Sequence, residues 1–74
     1  MSSPASSQFL EKQERVQHQG VSRWRSADGE RLYTWDHTHR EVEVYNKRGR
    51  HLGAADSQTG VLIKPARKGR TIDV

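Results

Sequence analysis

The chain has no cysteine and, in 74 residues, only two prolines, one methionine and one phenylalanine. Without cysteine there is no disulfide framework, the usual support for a secreted domain of this size. No apolar run is long enough for a membrane-crossing helix, and the N-terminus lacks the charged-then-apolar pattern of a signal peptide. These absences point to action in a reducing, cytosol-like compartment, with no membrane partner. Hydrophobic residues are 31% of the chain and charged residues 30%, so the core must be thin. A chain this short forms one domain and buries only about 60% of its unfolded surface, which leaves room for a partner to add stability.

What the chain does have is a dense stretch from Tyr33 to Tyr45, YTWDHTHREVEVY. As one continuous strand it fails, because Asp36 would point away from His39, Glu41 and Glu43. As a hairpin it succeeds, with strands Arg31–Asp36 and Glu41–Asn46 around the loop 37–40. Asp36 then faces Glu41, Trp35 faces Val42, Thr34 faces Glu43 and Tyr33 faces Val44. One face collects Asp36, Glu41, Glu43 and Tyr45 with His39 at its rim; the other collects Tyr33, Trp35, Val42 and Val44 as a core face.

Charge is uneven. From Asn46 onward Lys47, Arg48, Arg50, Lys64, Arg67, Lys68 and Arg70 face only Asp56 and Asp73, while the earlier part is slightly acidic. A basic half beside a cluster of acid–base groups suits a polyanion such as RNA; the plainer alternative is a solubilising charged surface.

In chain order, residues 1–7 are a low-complexity start expected to be disordered. Ser7 can cap a helix over Gln8–His18, the helical region reaching about residue 19 before Gly20 stops it. Val21–Arg25 reads as a strand, and Ser26–Gly29 as a turn. After the hairpin, the turn Lys47–Arg50 leads to a strand His51–Ala55, and Asp56–Gly60 to a strand Val61–Lys64, which Pro65 ends. The fold class is α+β and mostly β: a small, highly twisted antiparallel sheet over about 21–64, preceded by a short N-terminal helix, with a basic tail over 65–74. Residues 8–74 form the single domain.

The segment from Arg23 to Gly60 resembles the cytotoxic ribonuclease domain of the ribosome-cleaving E-type colicins and cloacin. The resemblance rests on Arg23-Trp24, Asp28-Gly29, Tyr33, Trp35-Asp36, His39, Glu41, Glu43, Tyr45, His51-Leu52-Gly53, Asp56 and Thr59-Gly60. It implies an endoribonuclease toxin that cleaves small-subunit (16S) rRNA in the decoding centre and stops translation. By the same resemblance the catalytic aspartate, histidine and glutamate fall on Asp36, His39 and Glu43. The catalytic arginine falls on Arg70, with Arg67 as its alternative. Tyr33 and Glu41 match family positions near the substrate, and Lys47, Arg48, Arg50, Lys64, Arg67 and Lys68 are the expected RNA-binding cations. The implied partners are the small ribosomal subunit and an acidic immunity protein or antitoxin. The site of action is the bacterial cytoplasm, and the delivery route, including carriage from another cell within a larger toxin, stays open.

The residue types suit metal-free RNA cleavage with no cofactor. Such a reaction needs a base for the 2′-hydroxyl, an acid for the departing 5′-oxygen and positive charge at the phosphate. Glu43 is the expected base, helped by the like charge of Glu41. His39 is the expected acid, oriented by Asp36. An arginine supplies the fixed cation. Two other readings stay open: a non-catalytic RNA- or ribosome-binding module, and a metal site built from Asp36, His37 and His39. His51 reads as packed on the sheet, and Trp24 and Trp35 as core or base-stacking residues, with core favoured for Trp35.

Overall fold

The computed structural model describes residues 7–74. The expected disordered start lies outside the described residues except at Ser7, which is buried. Its Oγ accepts the Leu10 N–H at 3.0 Å, so it is the N-cap of α1 (Gln8–Glu11).

The helix stops there, which corrects the expected helix to residue 18 or 19. Glu14–His18 is a strand, β1, paired with β2 (Val21–Arg25) in antiparallel register. Gln19 and Gly20 both have positive φ, 51° and 80°, the conformation of a two-residue hairpin turn. Gly20 therefore turns a hairpin and does not cap a helix. The pairing gains an Arg25–Glu14 ion pair at 2.7 Å and the Arg15 guanidinium over the Trp24 ring at 5.9 Å.

Four further strands follow: β3 (Arg31–Asp36), β4 (Glu41–Asn46), β5 (His51–Ala55) and β6 (Leu62–Pro65). The sheet is a six-stranded antiparallel meander in sequence order. The central register places Tyr33 on Val44, Thr34 on Glu43, Trp35 on Val42 and Asp36 on Glu41, as the alternation of residue types predicts. Pro65 is the last residue of β6 and not a terminator before it; β6 is an edge strand, where a missing N–H is tolerated.

One face carries the core of Leu10, Trp24, Tyr33, Val42, Val44 and Ala55. Phe9 closes it, its ring edge-on to Tyr33 with centroids 5.0 Å apart. The basic tail rejoins the sheet. The His51 N–H donates to the Arg70 carbonyl at 3.0 Å, Thr71 bridges Arg50, and the Ile72 N–H donates to the Gly49 carbonyl at 2.8 Å. Gly49 permits this approach, since a Cβ there would run into the Ile72 carbonyl oxygen. Arg23 Nη1 then holds the Asp73 carbonyl at 2.6 Å.

Candidate active site

The face opposite the core carries an open cavity of about 430 Å³. The strand alternation of β3 and β4 delivers Asp36, Glu41 and Glu43 to it, the loop after β3 delivers His39, and the rejoined tail delivers Arg67 and Arg70. Lys64 reaches it from β6.

Asp36 organises the loop. Its Oδ1 accepts the N–H groups of Thr38 and His39 at 3.0 and 3.2 Å, while Oδ2 lies 2.9 Å from His39 Nδ1. Burial pushes the Asp36 carboxyl upward, but the hydrogen bonds from the His39 ring and backbone, the His39 charge and the Thr38 N–H outweigh it. The net shift is below the ordinary carboxylate value. With Nδ1 engaged, Nε2 is the His39 nitrogen left for the cavity.

Glu43 is the buried acid of the group, its side chain 7% exposed. His51 Nε2 lies 2.6 Å from its Oε1. The other ring nitrogen of His51, Nδ1, accepts the Arg67 backbone N–H at 2.9 Å. An N–H only donates, so Nδ1 carries no hydrogen, and Nε2 is the protonated nitrogen that donates to Glu43. Tyr45 packs edge-on against the same imidazole, centroids 5.2 Å apart. Arg70 Nη1 approaches the same Glu43 oxygen at 3.5 Å. Oε1 is thus occupied twice, and no described residue bonds Oε2.

His51 is the residue that sequence reasoning undervalued. It is packed on the sheet as expected, yet it also lines the cavity and fixes Glu43. Nothing local signals this; only pairing β5 beside β4 puts His51 next to Tyr45, close to Glu43.

Other expected site residues separate. Tyr33 corrects the substrate role that the resemblance implied. As the hairpin alternation requires, it lies on the core face, 5% exposed and packed on Phe9, and burial pushes its hydroxyl above the ordinary value. It is turned away from the cavity. Lys47 pairs with Glu30 at 3.4 Å, and neither it nor Arg48 lines the cavity. Arg50 and Lys68 line a neighbouring hollow. Trp24 is buried in the core, whereas Trp35 packs on the core and also borders the cavity.

A family model described as Cytotoxic matches residues 6–73. The chain belongs to the Cytotoxic family. Colicin E3 of Escherichia coli is 42% identical to this Cytotoxic domain over 43 residues. That match covers 57% of the chain and 8% of the colicin, so the domain spans a small part of that relative's length.

Among the described residues, one trio brings ligand-type atoms within 4.8 Å of one another: Asp36, His39 and Glu41. It contains Glu41 where the sequence suggested His37. Two of its members are paired together, and Glu41 accepts Lys64 Nζ at 3.0 Å. A metal there would compete with the Lys64 ammonium.

Proposed function

We propose that this chain is the ribonuclease part of a colicin-type toxin, an endoribonuclease cutting small-subunit (16S) rRNA in the decoding centre by metal-free acid–base catalysis. Family membership and the relation to Colicin E3 support the toxin class. The observation that carries the chemistry is the buried carboxylate of Glu43, held at one oxygen by His51 and Arg70 and open at the other, in the same cavity as His39.

Glu43 Oε2 takes the proton of the 2′-hydroxyl. The freed O2′ attacks the adjacent phosphorus, and the P–O5′ bond breaks. His39 Nε2 gives a proton to the departing O5′, and Asp36 stabilises the positive ring beforehand. Arg70 offsets the extra negative charge on the crowded phosphate. The products are a 2′,3′-cyclic phosphate and a 5′-hydroxyl. Lys64 and Arg67 add positive charge around the same phosphate. The partners on this reading are the small ribosomal subunit and an acidic immunity protein, and the site of action is the bacterial cytoplasm.

The test is incubation of intact ribosomes with the protein in chelator. One new fragment from near the 3′ end of small-subunit RNA is expected. Cleavage that appears only after a divalent metal is restored would favour the metal reading, which the Asp36–His39–Glu41 trio motivates. Ribosome binding without any cleavage would favour the binding-module reading.

A further inference from the structure

Beyond Arg70 a second hollow of about 470 Å³ opens, and His51, Arg67 and Arg70 form a wall common to both. Its other charged walls are Arg50 and Lys68, and no acid lines it. Among the described residues, Arg50, Arg67 and Lys68 take part in no ion pair. The backbone around them is tied. The Arg50 N–H donates to Asn46 Oδ1 at 3.0 Å, Thr71 bridges Arg50, and the Arg70 N–H closes the turn onto the Arg67 carbonyl at 3.1 Å. Same-sign charges gathered in one hollow repel each other, and an anion in the hollow removes that penalty.

We propose that this trough is a second phosphate subsite, taking the RNA phosphodiester next to the scissile one through Arg50 and Lys68. It rests on the reading of the first cavity as the cleavage site. A strand whose scissile phosphate sits at Arg70 continues across the shared wall into the trough, so Arg67 and Arg70 stand between successive phosphates. Guanidinium groups match phosphate oxygens in paired hydrogen bonds, and lysine adds a mobile point charge.

The experiment measures binding of uncleavable 2′-O-methyl oligonucleotides to the intact protein. A dinucleotide carries one phosphodiester, and trinucleotides extended on the 5′ or the 3′ side carry two. The wild type is expected to bind one of the two trinucleotides at least about tenfold more tightly than the dinucleotide, the yield of one charge-assisted contact. Arg50→Ala with Lys68→Ala should erase that gain and flatten the salt dependence of log affinity by about 0.7, the value for one phosphate of a single strand. A charge-matched control, Lys12→Ala with Arg31→Ala, alters residues that line neither hollow and should keep the gain. A gain that survives the Arg50/Lys68 change, or vanishes equally in the control, overturns the subsite. Ribosome cleavage by the wild type is scored separately. Its absence would overturn the nuclease reading and leave the oligonucleotide result to judge the trough alone.

Discussion

Single side chains set the chemistry of this cavity. Glu43→Gln keeps the shape of the carboxylate but cannot accept the 2′-hydroxyl proton, and His39→Ala removes the acid. Each is expected to lower ribosome cleavage by about 10²–10⁴-fold, the usual worth of one general acid or base, while ribosome pull-down stays near the wild-type level. Near wild-type cutting by either variant would sink the role assignment. Arg70→Ala should cost more than Arg67→Ala in the same assay, because the Arg70 guanidinium reaches Glu43 whereas Arg67 bonds His51 through its backbone. The reverse ranking would move the role to Arg67. Asp36 gives a pH signature. Its folded-state value lies below 3.8, so its stabilisation is complete above the unfolded value and fades as pH falls through 3.8 toward the folded one. Below pH 3.8 the stability gap between wild type and Asp36→Asn, read from denaturant midpoints, should therefore narrow as pH falls. A gap that widens below that pH would contradict the assigned hydrogen bonds. Most of this site is legible in the sequence, because β alternation alone sorts Asp36, Glu41 and Glu43 onto one face. His51 is not, because its partnership depends on how β5 lies against β4 and on a backbone N–H of the tail.

At the scale of elements, the β3–β4 hairpin is readable to the residue because a one-residue slip would expose Val42 and Val44 and bury acids. The β1–β2 hairpin is harder to read. Its first strand, ERVQH, contains one strong strand former, and Gln19-Gly20 serves equally well as a helix stop or a tight turn. Tyr33 is legible too: the alternation with Thr34 puts it on the core face, where the structure has it, and only its match to a family position drew it toward the substrate. The tail is an element in all but name. Gly49→Val would place a branched side chain at φ 86° against the Ile72 carbonyl. A cost of about 1–3 kcal/mol is expected. Amide exchange of Ile72 should quicken in this variant, and cleavage should fall because Arg70 loses its seat. Unchanged exchange at Ile72 would show that the tail does not depend on this glycine.

For the whole molecule, net charge +4 with the excess in the C-terminal half favours fast capture by an acidic protein. An immunity-type partner of that charge should bind more slowly as salt rises, and charge reversal at Arg48, Arg50 and Lys68 together should lower its on-rate, measured by stopped flow. An on-rate indifferent to both would exclude electrostatic capture. The connectivity also has a kinetic side. Every strand pairs with its neighbour in sequence, so the ladders close short loops and form early. Ties of longer range are of another kind: Ser7 to Ser57, and Arg23 to Asp73, each span fifty positions. Loop-closure entropy places such contacts late. The ties that seat Arg70, from Arg70, Thr71 and Ile72 to His51, Arg50 and Gly49, span 19 to 23 positions. These are longer than the hairpin loops, so on the proposed reading the cation at the phosphate arrives after the hairpin that carries the base and the acid. A refolding experiment followed by both intrinsic fluorescence and RNA cleavage would separate the two events, with catalytic competence lagging behind the tryptophan signal.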